Sequence, residues 1–200
     1  MKSVMKSKII AYGERPITEF VLSICSDEDL NELFNSIKFC KDNKPSEILS
    51  VKSLKNIYIE APLKRGIGTP DIIFQFENTN LVCEVKPRNF RETQKKVKTY
   101  EEQLKRYYEF IKNPSYLGGQ ELVKRLTKLI KGKENFLICV TDDAKFPLEL
   151  EKTMKKLQII KIGWLPYSIF EKIAERRGFE IMKKQVPHIW IEKKRQMMPS

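Results

Sequence analysis

Histidine and closely spaced cysteines are scarce in this 200-residue chain. The single histidine, His188, excludes any site that needs two imidazoles and disfavours nucleophiles activated by histidine. The cysteines are scattered over positions 25, 40, 83 and 139, without a CxxC pair. This spacing disfavours a zinc ribbon or a disulfide framework and predicts reduced, buried thiols.

Long apolar runs are absent as well. No stretch approaches the roughly 18–20 residues of a membrane span. The segment Met1–Lys6 lacks the apolar region of a secretion signal. We therefore expect a cytoplasmic protein without a membrane partner, located in the host cytoplasm if its source is a virus or mobile element. Because no internal repeat or low-complexity linker interrupts the chain, one domain is expected over residues 1–200.

Positive charge is abundant. Lys and Arg number 38 against 26 Asp and Glu, which gives a net charge of +12. A basic balance of this size favours polyanions, most often nucleic acid. A Lys- and Ile-rich composition can also reflect a thermophilic or AT-rich source, so charge alone leaves nucleic-acid binding open.

Apolar spacing predicts one or two helices over Ile17–Phe39, with a break near Ser26. The predicted strands are Asn56–Ala61, Asp71–Phe76, Leu81–Lys86, Asn135–Thr141, Gln158–Gly163 and Pro187–Glu192. The later predicted helices are Asn89–Lys112, Gln120–Lys131, Pro147–Lys156 and Pro166–Arg177. This order indicates an α/β fold with a mixed central sheet flanked by helices.

Two carboxylates and an ammonium are predicted to share one face of a hairpin. Side chains alternate along a strand, so Glu84 and Lys86 point the same way. Antiparallel pairing through the turn at Glu77–Asn80 brings Asp71 close to Glu84. Neighbouring carboxylates repel, and a divalent cation such as Mg²⁺ relieves the repulsion by binding both. The alternative interpretation is an aspartate at a turn and an exposed Glu–Lys pair on an edge strand.

Pro70-Asp71, followed after twelve residues by Glu84-Val85-Lys86, resembles the PD-(D/E)xK nuclease superfamily, which has a restriction-endonuclease-like fold. The resemblance implies an αβββαβ core over about 14–141 and a C-terminal α/β extension over about 142–200. In that family an acidic residue on the first helix often assists the metal site, and Glu19 occupies the matching place. The alternative for Glu19 is a first-turn glutamate favoured by the helix dipole.

Gln103 and Tyr107 resemble the Q-x-x-x-Y signature of the RecB-like branch of these nucleases. Residues four apart share a helix face, so both could order the site or contact substrate, although Tyr107 could equally belong to the core. The chain departs from many RecB-like nucleases in having no histidine on the first helix. The cysteine spacing does not fit a four-cysteine iron–sulfur pattern, so no such cluster is expected.

The basic helix after the hairpin is expected to hold DNA phosphates. Its expected DNA-binding residues are Arg88, Arg91, Lys95, Lys96, Lys105 and Arg106. The alternative is a solvated helix face that binds nothing.

Together these features imply a metal-dependent deoxyribonuclease that hydrolyses phosphodiester bonds of DNA. We expect Asp71 and Glu84 to bind Mg²⁺, with Mn²⁺ as a substitute, and Lys86 to orient or deprotonate the attacking water or to offset charge that develops on the phosphate. The resemblance adds Glu19, which would complete the metal shell directly or through water. Two alternatives stay open: a structure-specific endonuclease acting as a homodimer, like Holliday-junction resolvases, and a catalytically inactive DNA-binding protein on the same fold.

Overall fold

A six-stranded mixed sheet forms the centre of the protein. The computed structural model describes residues 7–9, 14–40, 43–59, 68–86, 100–112, 124, 127–128, 130–158 and 161–181. Its helices are α1 (Glu14–Ile24), α2 (Asp27–Asn35), α3 (Tyr100–Lys112), α4 (Leu148–Leu157) and α5 (Ser168–Arg176). Its strands are β1 (Ser7–Ile9), β2 (Lys38–Phe39), β3 (Leu54–Ile59), β4 (Ile72–Phe76), β5 (Thr79–Lys86), β6 (Glu134–Thr141), β7 (Ile162–Pro166) and β8 (Phe179–Ile181).

The strand order across the large sheet is β2-β7-β6-β5-β4-β3. Strands β3, β4 and β5 form an antiparallel meander, whereas β5, β6 and β7 run parallel and β2 pairs antiparallel with β7. Strands β1 and β8 pair separately and in parallel. The predicted α/β class, with a mixed sheet flanked by helices and the chain order αβββαβ, is therefore confirmed.

Helices cover both faces of the sheet. On one face, side chains such as Cys83 and Val85 pack with α1, α2 and α5. On the other, side chains such as Val82 and Cys139 pack with α3 and α4. Because β5 and β6 lie between the two helix layers, their side chains are buried on both faces, which explains their nearly continuous apolar sequences.

Most predicted elements that lie within the described residues are confirmed with shifted ends. Residues 89–99 of the helix predicted at Asn89–Lys112, and most of the helix predicted at Gln120–Lys131, lie outside the described residues. The break near Ser26 separates α1 from α2. The strand predicted at Gln158–Gly163 is displaced, since Gln158 takes a left-handed conformation (φ 54°) that caps α4 and the strand begins at Ile162. The short strands β1, β2 and β8 were not predicted, and the predicted strand Pro187–Glu192 lies outside the described residues.

The four cysteines are free thiols. Cys83 and Cys139 are buried as expected, whereas Cys25 and Cys40 are only half-buried. Burial raises the pKa of the Cys25 thiol to about 11 and raises that of Cys83 well above its usual range, so both stay protonated at neutral pH. Among the described helices, none combines the length and apolar character needed to cross a bilayer.

A buried carboxylate joins the start of α2 to the end of α5. Asp29 accepts a hydrogen bond from the Ser26 amide (2.9 Å), and its own amide donates to the Ser26 hydroxyl (3.3 Å). The Arg177 Nε donates to Asp29 Oδ2 (2.9 Å), and the Arg176 guanidinium lies 2.6 Å from Oδ1. Burial opposes ionisation, but the hydrogen bonds from Ser26 and Arg177 prevail and lower the pKa of Asp29 to about 2.

Replacing Asp29 with Asn should lower the free energy of unfolding at pH 7 by about 1–3 kcal/mol, because the cap and the two arginines lose their charged partner. The pKa of Asp29 is lower in the folded state, so its contribution is present above pH 4 and disappears as the pH falls towards 2. Urea unfolding followed by circular dichroism at pH 7 and pH 2.5 measures both effects. Glu28→Gln, an exposed change in the same helical turn, is the control. An equal loss of stability at both pH values would contradict the assignment.

Candidate active site

The open end of the β4–β5 hairpin brings together two carboxylates. Ile72 pairs with Cys83, and the Asp71 amide donates to the Cys83 carbonyl (3.1 Å). Asp71 Oδ2 accepts a hydrogen bond from the Val85 amide at 2.7 Å. Continuing this register sets Asp71 beside Glu84, and only 4% and 2% of their surfaces are exposed. The two residues therefore share one buried face, as the hairpin register predicts.

Lys86 adds a positive charge to this pair. Its Nζ lies 2.7 Å from Glu84 Oε1 and donates to the Val85 carbonyl at 3.0 Å. The lysine side chain is 16% exposed, so the ion pair is largely removed from water. A nearly dry ion pair is expensive to form, which distinguishes Lys86 from an ordinary surface lysine.

Helix α3 supplies two further side chains that meet Glu84. Gln103 Nε2 donates to Glu84 Oε1 and to the Tyr107 hydroxyl, both at 3.0 Å. The positions are four apart, so both side chains project from one helix face towards the sheet. Tyr107 is completely buried and belongs to the core, while its hydroxyl contacts Gln103 beside Glu84, so its role in a site stays a prediction.

Burial and charge shift the ionisation of this cluster. Burial, followed by the neighbouring Asp71 charge, raises the pKa of Glu84 to about 7, while Lys86 and the Tyr107 hydroxyl act in the opposite direction. Burial and the Glu84 charge also raise the pKa of Tyr107, which therefore keeps its proton. At neutral pH Glu84 lies close to its titration point, so a bound cation would strongly favour its ionised form.

One carboxylate oxygen has unused binding capacity. In the described part of the chain, Glu84 Oε2 is buried without a hydrogen-bond partner. A buried polar oxygen left in this way costs about 1–3 kcal/mol. Two adjacent carboxylates with an open oxygen suit a hard cation such as Mg²⁺, which commonly uses one or two carboxylates and fills its remaining positions with water or phosphate oxygens.

The third predicted metal ligand, Glu19, does not join this pair. Within the described residues, no group of three His, Cys, Asp or Glu side chains is arranged to bind a metal ion. Glu19 lies half-buried on α1, whose Val21 packs in the core on the face that carries Cys83. That face is opposite to the one that carries Glu84, and the role of Glu19 stays a prediction.

The predicted DNA-binding residues divide into two groups. Lys105 and Arg106 are exposed on α3, and Lys105 Nζ lies 3.8 Å from Glu109 in the next turn. Both are available to solvent, and neither contacts the carboxylate pair. The other predicted residues lie outside the described part of the chain, namely Arg88, Arg91, Lys95 and Lys96.

A second polar group at this sheet edge was not predicted. Thr141 on β6 is the register partner of Lys86, and its hydroxyl accepts from Trp164 Nε1 (2.9 Å) and donates to Asp143 Oδ2 (2.6 Å). A lone threonine at the end of an apolar strand gives little signal by itself. The useful signal is topological, because consecutive parallel strands end at the same edge of a sheet.

Replacing Glu84 with Gln should change how stability depends on pH. The folded-state pKa of about 7 exceeds the ordinary 4.5, so ionisation of Glu84 destabilises the metal-free protein as the pH rises through this interval. Gln cannot ionise, and the stability of the variant relative to the natural protein should therefore increase by about 1–3 kcal/mol between pH 5 and pH 8.

Urea unfolding in EDTA at several pH values measures this difference. Glu77→Gln is the matched control at the other end of the same hairpin, where Lys55 lowers the pKa of the exposed Glu77. That carboxylate stays ionised throughout the interval and should give no slope. Parallel stability curves for the natural protein and Glu84→Gln would contradict the raised pKa.

Comparison with known proteins adds one distant similarity. No family model matches the chain, and no curated protein matches it significantly. Among solved structures, it is similar to the small subunit of the heterodimeric restriction endonuclease R.BspD6I, at 11% identity and a TM-score of 0.36. The match covers 92% of this chain and 88% of that chain. Because this similarity is so weak, we describe the fold from the order of its strands and the chemistry of the site from the side chains at the hairpin.

Proposed function

We propose that this protein is a metal-dependent deoxyribonuclease of the PD-(D/E)xK superfamily, in its RecB-like branch, that hydrolyses phosphodiester bonds. The observation that carries the proposal is the convergence of Asp71, Glu84 and Lys86 at one end of a buried hairpin, with one glutamate oxygen unpaired. This arrangement is costly for a purely structural element, since burying unsatisfied polar groups destabilises the fold.

Asp71 and Glu84 are the residues that would hold Mg²⁺ or Mn²⁺. Glu19, which does not join this pair, is proposed to contribute through bridging water rather than as a direct ligand. When bound, the cation would supply Lewis-acid polarisation of the phosphodiester. Hydrogen bonds from Gln103 and Lys86 to Glu84 Oε1 fix that carboxylate while leaving Oε2 without a protein partner. Gln103 and Tyr107 are therefore proposed as positioning residues.

Lys86 is proposed to act as a charged donor. The carboxylate at 2.7 Å favours its ammonium form, which can orient the attacking water and stabilise negative charge developing on the phosphate. Serving as a general base would require the lysine to lose its proton beside that same carboxylate. The contacts of Lys86 with Glu84 and with the Val85 carbonyl support the electrostatic role.

DNA is the proposed substrate because the chain carries a net charge of +12 and exposes Lys105 and Arg106 on the helix that also carries Gln103. Phosphate contacts from such residues position a nucleic acid without reading its sequence. Arg88, Arg91, Lys95 and Lys96 are proposed to extend this surface.

A catalytically inactive DNA-binding protein is the second candidate. The hydrogen bond from the Val85 amide to Asp71 favours it, because a carboxylate that secures a strand has a structural use of its own. The two candidates differ in one respect: only the nuclease needs the negative charge of Asp71, whereas the structural contact needs an acceptor.

The substitutions Asp71→Asn, Glu84→Gln and Lys86→Gln should each reduce cleavage by about 100-fold or more, because each removes a charge from the site. Asn at position 71 keeps an oxygen to accept from the Val85 amide, so the fold should persist. Labelled single-stranded, duplex and branched DNA, incubated with Mg²⁺, Mn²⁺ or EDTA, provides the measurement, and Glu77→Gln is the control. Cleavage that persists in EDTA, or at full rate in Glu84→Gln, would contradict the proposal.

DNA affinity should depend steeply on salt. Neutralising Lys105 or Arg106 to Gln should weaken binding similarly for all sequences and reduce the salt slope by about one for each phosphate that the variant no longer neutralises. Fluorescence anisotropy in EDTA measures this without cleavage, and Lys55→Gln is the control, because Lys55 lies at the end of β3 that is paired near Phe76, away from Asp71. An unchanged slope in both variants would place DNA on another surface.

A further inference from the structure

We infer that Gly68 is a positioning residue of this site, because a side chain at this position would crowd the hydroxyl of Tyr107, against which the segment before Asp71 passes. The inference rests on the proposed nuclease function. It assigns a role in assembling the site to a glycine that is proposed neither as a metal ligand nor as a catalytic residue.

The approach of Gly68 to the tyrosine is unusually close. A Cβ atom at Gly68 would lie 3.0 Å from the Tyr107 hydroxyl oxygen and 3.2 Å from Cε1 of its ring. The backbone φ of +116° is itself a conformation that side chains rarely adopt. Any larger residue would therefore have to displace either the segment or the tyrosine.

The tyrosine has little room to retreat. Tyr107 is completely buried, and it packs in the core cluster that includes Ile73 and Leu104. Close-packed interiors yield to an added methyl group only by shifting their neighbours. A displacement of the hydroxyl would consequently also displace the groups that are hydrogen-bonded to it.

Those groups lead directly to the carboxylate. Gln103 Nε2 donates to both the Tyr107 hydroxyl and Glu84 Oε1, at 3.0 Å each. One amide nitrogen thus links the tyrosine to the proposed metal ligand, and moving the hydroxyl would change the alignment of Glu84. The other side of the segment is tied as well, because Asp71, three residues after Gly68, bonds to Cys83 and Val85 on β5.

The two other described glycines with positive φ values lack the steric contact seen at position 68. Gly132 and Gly178 also have positive φ values, +80° and +86°, but a Cβ at either position would meet nothing within 4 Å. Their conformation alone calls for glycine. Replacing them with Ala introduces backbone strain without a contact at the site, which makes them matched controls.

The test combines Gly68→Ala, Tyr107→Phe and the double variant, with Gly132→Ala and Gly178→Ala as controls. Each protein is measured for turnover and KM on a labelled oligonucleotide, for Mn²⁺ affinity by electron paramagnetic resonance, and for unfolding in urea. Gly68→Ala should lower turnover by about 10- to 100-fold and weaken Mn²⁺ binding, with KM little changed, because a small misplacement of a ligand affects chemistry more than DNA binding. The control variants should lose stability and retain turnover.

The double variant separates the contact from backbone strain. Phe lacks the hydroxyl, which is both the atom nearest to position 68 and the group bonded to Gln103, so in a Tyr107→Phe background Gly68→Ala should cost less than about threefold in turnover. Recovery of folding in the double variant, if Gly68→Ala alone unfolds, would likewise support the contact.

Three outcomes would overturn the inference: turnover of Gly68→Ala equal to that of the control variants, an equal loss in both Tyr107 backgrounds, or unfolding in both. If the natural protein neither binds Mn²⁺ nor cleaves DNA, the proposed nuclease function itself fails. The two failures are therefore distinguishable, because failure of the Gly68 inference alone leaves the natural protein fully active.

Discussion

The antiparallel register of β4 against β5 is the constraint on which the candidate site depends. Side chains alternate along a strand, so a slip of one residue would move Glu84 and Lys86 to the face where Cys83 and Val85 pack. Two hydrogen bonds of Asp71 to β5 hold this register. Its amide donates to the Cys83 carbonyl, and its carboxylate accepts from the Val85 amide. The residue proposed to bind metal thus also fixes the strand that presents its partner.

Two buried acidic residues show how differently this fold treats a carboxylate. Asp29 receives hydrogen bonds from a helix cap and from arginine, and these lower its pKa to about 2 despite burial. Glu84 is buried beside another carboxylate, has an unpaired oxygen, and has its pKa raised to about 7. The first carboxylate stabilises the fold, whereas the ionised form of the second is unfavourable and would be stabilised by a bound cation. Such local instability is typical of functional sites rather than of structural ones.

Local sequence patterns predicted those parts of the candidate site whose residues lie close together along the chain. Strand alternation and a short turn were enough to bring Asp71, Glu84 and Lys86 to one face, and helical spacing aligned Gln103 with Tyr107. The position of Glu19 could not be predicted in this way, because it depends on how α1 packs against the sheet. The contact between Gly68 and Tyr107 is likewise a tertiary contact, and it leaves no periodic signal in the sequence.

The segment expected to form a C-terminal extension also borders the candidate site. Its strand β7 adds a parallel neighbour to β6, and Trp164 on that strand donates a hydrogen bond to Thr141 beside Lys86. Lys38 Nζ lies 5.6 Å from the centre of the Trp164 ring, so the edge strand β2 is joined to the same indole. The carboxyl ends of parallel strands lie side by side. The contacts that hold Trp164 in place therefore also hold Thr141 at the end of β6, where Thr141 pairs with Lys86. The expected boundary near residue 141 therefore divides the sequence but not the sheet. Strand β7, which follows the boundary, pairs with β6, and β6 pairs with the strand that carries Lys86.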